Sequence, residues 1–282
     1  MIEIYLLEQL DAFYRYGTLS AAAEHLHLTQ PSISRSMQKL EDLIGVTLFE
    51  RQKNKLTLNE TGKIAAEYAS RILASEAEME RHVRAFDRSL RTITIGSCAP
   101  GPLMKILPMV AGIFSDLTVS SEVKSEDDII NGLKESQYQL IILSKPIESD
   151  DFYCQKYLTE QLYVSLNAFH PASTFHSIRF DQMDSQNFIM YAQVGVWEQV
   201  VHSKMPHAKF FKQEDLEAVD EIISNSGLPS FASNITINEL PSRQINRINI
   251  PFSDKEATIT FYLACLKKDE KRFKRLLRTI EE

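Results

Sequence analysis

Apolar residues recur at helical spacing through the first ninety positions. Leu6, Leu7, Leu10, Phe13 and Tyr14 share one helix face, and Gly17 supplies a C-terminal stop. Thr18 or Ser20 can cap a second helix through Ala21, Ala22, Ala23 and Leu26, whose small side chains let a neighbouring helix approach closely. Thr29 is placed to cap a third, with Pro31 in the first turn, where its missing N–H costs little. Ile33, Met37, Leu40 and Ile44 then make one buried stripe. The stretch VTLFERQKNKLTLNETG reads as two short strands around a basic tip, Arg51 to Lys55. From Asn59 to about Leu90 no proline interrupts a helix that Asn59 or Thr61 can cap. Its positions Tyr68, Ile72, Met79, Val83, Phe86 and Leu90 keep a roughly heptad seam, with Ser75 as a weak step. An exposed helix with such a seam buries it against a partner helix; packing on the chain's own domain is the alternative.

After Thr92 the pattern changes to short strands alternating with helices. TITIGS, LTVSSEV, QLIILS, LYVSLNAF, FIMYA, AKFF, GLPSFAS and ATITFYLACLKK read as strands. Leu103 to Phe114, DDIINGLKES, 195–204, 214–225 and the closing DEKRFKRLLRTIEE read as helices. Such alternation implies parallel sheets with ligand sites at strand C-terminal ends.

Composition narrows the function classes. At 282 residues, two domains and a connector are expected. A net charge of −7 argues against a chain that coats nucleic acid non-specifically, though a small reading head needs only a local field. No apolar run approaches the roughly 18 residues that span a bilayer, so no membrane partner is expected. Glu3, Glu8 and Asp11 rule out a secretory signal at the N-terminus, which makes a cytoplasmic location the expectation. Cys98, Cys154 and Cys265 are far apart, and the histidines form no ligand pair, so no metal is expected. Glycine-rich phosphate loops are absent, and no cofactor is implied.

The third helix carries the sharpest chemistry. Ser32, Arg35, Gln38 and Lys39 form a connected polar strip opposite the apolar stripe, and Gln30 and Ser34 extend it. Arg and Gln can make bidentate bonds to base edges in the major groove, and Ser can bond base or phosphate. The helix N-terminus adds partial positive charge toward phosphate. The same strip could be the solvated face of an ordinary bundle; the adjoining basic hairpin, a wing able to lie along a duplex backbone, favours DNA. Over residues 1–58, Arg15, Arg35, Lys39, Arg51, Lys53 and Lys55 stand against Glu3, Glu8, Asp11, Glu24, Glu41, Asp42 and Glu50. The head is thus slightly acidic, with its cations concentrated on the contact face, and one head alone should bind modestly.

LEQLDAFYRYGTLSAAAEHLHLTQPSISRSMQKLEDLIGVTLFER followed by LTLNETG resembles, without a gap, the N-terminal domain of LysR-type transcriptional regulators. The resemblance implies an N-terminal all-α winged helix–turn–helix domain (1–58), a linker dimerisation helix (59–90) and a C-terminal effector-binding domain (91–282). The latter would be a two-lobed α/β domain like type II periplasmic binding proteins, so the chain is α+β and α/β in class. Lobe I would take about 92–161 and 267–282, and lobe II about 162–265. DNA contacts would fall on Thr29, Gln30, Pro31, Ser32, Ser34, Arg35, Gln38 and Lys39 of the recognition helix and on Arg51, Lys53, Asn54 and Lys55 of the wing. Double-stranded DNA with a partly palindromic promoter site, a homodimer or dimer of dimers, and a small-molecule effector are the implied partners, and no enzyme activity is implied.

In the second domain the likeness is looser, resting on TITIGS, NAFHPAS and EAVDEIISNSGLPSFAS. It implies an effector cleft lined by Ser97, Cys98, Ala99 and Pro100, where a helix N-terminus could take an anion, with Ser125, Tyr191, Gln193, Ser226, Gly227 and Phe231. Two features depart from the family's pattern: Pro229 replaces the usual second Gly of the return motif, and AQVGVWEQ replaces a Gly-Ser/Thr-rich turn. The candidate cleft has no Arg or Lys, which weakens the case for a carboxylate effector held by ion pairing and leaves a neutral or aromatic one equally open. Cys98 at a helix N-terminus raises the alternative of a lowered thiol pKa and redox sensing, though no resolving cysteine is close in sequence. A cytosolic small-molecule-binding protein built on the two-lobed domain is the other alternative. Trp197 is expected in core or inter-lobe packing, and the basic C-terminal helix on a solvated face.

Overall fold

In a computed structural model that describes residues 1–52, 55–239 and 247–281, the chain folds as two units, Met1–Arg84 and Ala85–Glu282. In the first unit, α1 (Ile4–Tyr16), α2 (Leu19–His25) and α3 (Gln30–Ile44) pack around Leu6, Leu10, Ala22, Ile33, Met37 and Leu40, all essentially buried. Local chemistry sets their ends. Gly17 and Gly45 take left-handed φ of 72° and 81° and close α1 and α3, a conformation that costs glycine little. Thr18, rather than Ser20, accepts the Ala21 N–H (3.1 Å), and Thr29 accepts that of Ser32 (3.3 Å). Two apolar positions depart from expectation. Tyr14 is 45% exposed and Ile44 40%, because each sits in the last turn of its helix, beyond the reach of the core.

The hairpin forms from β1 (Phe49–Gln52) and β2 (Lys55–Leu58), antiparallel with Phe49 opposite Leu58. Glu41 of α3 anchors it, accepting the backbone N–H groups of Leu48 (2.6 Å) and Phe49 (3.1 Å), while Phe49 meets Phe13 edge to face. Asn59, not Thr61, caps α4 (Glu60–Ser89) by accepting the Gly62 N–H at 2.7 Å. At 1.5 Å per residue this helix is about 45 Å long.

The second unit is built on a mixed sheet, not a purely parallel one. β3 (Thr92–Ser97) runs parallel to both β4 (Thr118–Val123) and β5 (Leu140–Leu143). β7 (Asn187–Tyr191) runs parallel to β8 (Lys209–Gln213) and β9 (Ser230–Ser233). The two parallel groups are joined by antiparallel strands, the long β6 (Phe152–Asn167) and β11 (Thr258–Leu266). The first half of β6 pairs with β11, and its second half with β9 and with β10 (Arg247–Pro251). One strand thereby belongs to both lobes. β11 pairs with β5, so it sits in the first lobe rather than in a second lobe reaching residue 265. The return crossing comes before β11 because Tyr262, Leu263 and Ala264 complete the edge that β5 offers.

Helices α5 (Pro100–Ile113), α6 (Glu126–Lys134), α7 (Phe180–Met183), α8 (Val196–Lys204), α9 (Leu216–Asn225), α10 (Asn234–Glu239) and α11 (Glu270–Glu281) cover the sheet. Phe261, Phe273, Leu276, Ile141 and Ile142 are fully buried in this core. β10 and α10 had no clear pattern in the sequence. Among the described residues no helix is long and apolar enough to cross a membrane.

Candidate nucleic-acid interface and ligand cavity

On α3 the residues opposite the Ile33–Met37–Leu40 stripe stand out from the unit. Thr29, Gln30, Pro31, Ser32, Arg35, Gln38 and Lys39 are exposed, and Ser34 is half-buried. Several are held in place. Ser20 on α2 donates to the Gln30 side chain at 3.3 Å, which ties the two helices of the turn together. Lys39 donates to Glu3 and to the Tyr5 hydroxyl, each at 3.0 Å, and lies over the Tyr5 ring. These bonds raise the Lys39 pKa, and they turn the ammonium toward α1. Arg35 and Gln38 make no such bond among the described residues. A depression of about 330 Å³, lined by Tyr5, Thr29, Pro31, Ser32, Arg35, Ser36 and Lys39, runs beside the helix start. The N-terminal turn of α3, Arg35 and the hairpin thus belong to one compact unit. Of the hairpin residues, Lys53 and Asn54 lie outside the described residues, whereas Arg51 pairs with Leu56 and Lys55 with Gln52 in the ladder.

The apolar seam of α4 is open. Ile64, Tyr68, Ile72, Met79, Val83 and Phe86, with Leu90 just beyond the helix, are each between 45% and 67% exposed. Seven large apolar side chains at steps of three, four and, once, seven residues are far more than a solvated helix normally shows.

The second unit encloses a cavity of about 560 Å³ where β6 passes between its two groups of parallel strands. The start of α5, the ends of β4 and β7, the middle of β6, α8, α9 and β9 supply its walls. Of the residues expected there, Pro100, Tyr191, Gln193 and Phe231 line it. Ser97, Cys98 and Ala99 do not. They are fully buried against the turn into α8, where the Val196 N–H donates to the Cys98 carbonyl at 2.8 Å. Gly195, at φ 62°, allows that contact, since a Cβ there would fall 1.9 Å from the Cys98 oxygen. Ser97 spends its hydroxyl on the Ala99 carbonyl (2.6 Å). Ser125 is instead the exposed cap of α6, accepting the Asp128 N–H, and Ser226 and Gly227 follow α9 outside the cavity.

The thiol of Cys98 shows the same burial. Its pKa is pushed well up, first by burial and then by the Glu126 charge, which goes against the alternative of a thiol activated at a helix N-terminus. The start of α5 also suits an anion poorly. Pro100 and Pro102 bring no N–H, and the Glu160 carboxylate already stands against Gly101.

Glu160 and Asp220 are lining residues that the sequence pattern did not single out. Glu160 is only 3% exposed; its Oε2 accepts the indole N–H of Trp197 at 3.0 Å, and the Ser233 hydroxyl also donates to it. Burial raises its pKa, with these two donors acting against the shift. A lone glutamate inside a strand carries no local signal of burial. Only the pairing of β6 with β9 and β11, remote in sequence, buries it. Trp197 is in the core as expected, and it is also part of the cavity wall.

Comparison with known proteins agrees with this two-part organisation. The profile of a family described as bacterial regulatory helix-turn-helix protein, lysR family, matches residues 4–63, and that of the LysR substrate binding domain matches residues 85–282. The RuBisCO operon transcriptional regulator of Allochromatium vinosum is 26% identical over 191 residues, which is 65% of this chain and 62% of that protein. A full-length OxyR variant from Pseudomonas aeruginosa has the same fold, with a TM-score of 0.54 at 18% identity, over 99% of this chain and 93% of that one. Full-length CbnR, solved in complex with its target DNA, matches at a TM-score of 0.50 and 18% identity over 99% of both chains.

Proposed function

The chain belongs to the LysR family of helix–turn–helix regulators, and from that premise we propose that it is a sequence-specific transcriptional regulator gated by a small molecule. The observation that carries the reading is the face of α3. It is apolar and buried on one side, and on the other it presents Arg35 and Gln38, without partners among the described residues, beside a capped helix start. Thr29, Gln30, Ser32 and Ser34 would contact phosphate and base edges near the helix start, with the hairpin, including Arg51, Lys53, Asn54 and Lys55, along the backbone. Lys39, already engaged with Glu3 and Tyr5, would contribute charge rather than a direct base bond.

The exposed seam of α4 would bury against the same helix of a second copy, giving a homodimer, and dimers could pair further. Two heads on one duplex call for a site with partial two-fold symmetry. The cavity between the lobes would hold the effector, with Pro100, Tyr191, Gln193 and Phe231 among its contacts. On this reading the chain binds and does not catalyse, and it works in the cytoplasm, where the DNA is.

The test is a footprint of the full chain on the DNA upstream of its own gene. Protection of two half-sites about one helical turn, or a multiple of it, apart is the expected result. Equal affinity for that DNA and for random duplex would overturn the reading.

A further inference from the structure

The chemistry of the cavity wall restricts what can fill it. Its lining contains three carboxylates, Glu122, Glu160 and Asp220, and no Lys, Arg or His among the described residues. The rest is mostly apolar, with Trp197, Tyr191 and Phe231 supplying aromatic faces. Glu122 is partly satisfied at the rim, accepting the Tyr138 hydroxyl at 2.5 Å and lying 3.8 Å from Lys124. Glu160 is different, because it is buried in the middle of β6 and no cation is bonded to it among the described residues. A carboxylate offers about four lone-pair sites. Trp197 and Ser233 account for two of them. The carboxylate lies directly against Gly101, where a Cβ would fall 2.2 Å from Oε1 and displace it.

A buried carboxylate without a counter-charge is costly, and unless something pairs with it the group is kept only at a loss of stability. Burial does raise the Glu160 pKa, the response of a carboxylate that lacks a cation. Arg247 does not fill that role. It is not among the lining residues, and its guanidinium is held by the Ser165 and Leu228 carbonyls and the Ser230 hydroxyl rather than by Glu160.

Taking the cavity as the effector site, we propose that its ligand is an organic ammonium on an apolar or aromatic body, with Glu160 as the counter-ion. The aromatic faces fit the same ligand, because an ammonium is attracted to the negative face of a π-system. The volume, about 560 Å³, is of the size that holds one small molecule. An anionic effector would meet carboxylates and no lining cation.

Trp197 is the only tryptophan of the chain and forms part of this wall, so its emission reports occupancy of the cavity directly. The experiment titrates the full chain with three probes of one shape: 2-phenylethylammonium, 2-phenylethanol and 3-phenylpropionate. Trp197 emission and calorimetry are recorded in parallel. The ammonium is expected to bind at least about ten-fold more tightly than the propionate. Glu160→Gln should remove most of that preference while leaving the alcohol within about two-fold.

The preference among probes is measured on the unmodified chain, so the outcome stands even if the variant does not fold. Propionate binding as tightly as the ammonium, with Trp197 responding, overturns the cation assignment and leaves the cavity as the ligand site. Ammonium binding seen by calorimetry with no response of Trp197, and unaffected by Ala232→Phe in the wall, overturns the cavity reading itself. No response to the ammonium at about 10 mM, a concentration at which even millimolar affinity would register, also overturns the assignment.

Discussion

Two single residues test the local geometry with opposite chemistries. Gly17 and Gly195 both have positive φ, but a Cβ at Gly17 meets nothing within 4 Å, whereas one at Gly195 would collide with the Cys98 carbonyl at 1.9 Å. Gly17→Ala should therefore cost only the backbone preference, about 1 kcal/mol. Gly195→Ala adds a collision with backbone and should cost more, roughly 1–3 kcal/mol beyond that. Because the Gly195 loop carries Trp197 into the cavity wall, its emission should shift in the second variant and not in the first. Thermal unfolding with tryptophan fluorescence separates the two, and equal losses would mean that the loop yields freely. On α3, Arg35 has no partner to lose among the described residues, so Arg35→Ala should leave stability unchanged. It should weaken specific DNA binding by ~1–3 kcal/mol if the guanidinium reads a base. A matched loss on specific and random duplex in an anisotropy titration would demote it to a phosphate contact.

At the scale of elements, the seam of α4 is where exposure and sequence pattern coincide. Val83 and Met79 are 63% and 58% exposed, so replacing both with Glu removes little from the single chain. The double change should dissociate the proposed dimer, seen as a halved mass in sedimentation, with an unfolding temperature of the second unit that hardly moves. A persistent dimer would place the interface elsewhere. Elements of this kind were legible because their information is local. Caps at Thr18, Thr29 and Asn59, stops at Gly17 and Gly45, and the three–four step of the α4 seam all lie within a few residues of what they determine. The cavity was only partly legible for the converse reason. Pro100, Tyr191, Gln193 and Phe231 stand next to strand ends, where sites in such sheets gather. Glu160 becomes a wall residue only through pairings with strands some seventy to a hundred positions away, Leu162 with Ser233 and Glu160 with Ile259. The lobe boundary was missed on the same ground, since nothing within β11 announces that β5 will be its neighbour. Ser97, Cys98 and Ala99 were hidden by a contact that depends on the φ of Gly195, about a hundred residues downstream.

For the whole molecule the decisive quantity is how many heads act together. The first 58 residues hold slightly more acidic than basic groups, and Lys39 is already turned toward Glu3. One head therefore has little Coulombic attraction to spare for a duplex, and salt should weaken what it has. Joining two heads makes the second contact intramolecular, which raises overall affinity by about 10²–10⁴ without any new contact, provided the spacing suits the DNA. It also doubles the phosphates neutralised per binding event, and the slope of log affinity against log salt scales with that number. The Met79→Glu, Val83→Glu chain, with its reading face untouched, should thus lose at least about 100-fold in specific affinity and show roughly half the salt slope of the parent. Its cavity should be unaffected, with Trp197 responding to 2-phenylethylammonium as in the parent. A monomeric variant that kept both the affinity and the full slope would mean that one head suffices. The α4 seam would then have to be explained by something other than DNA binding.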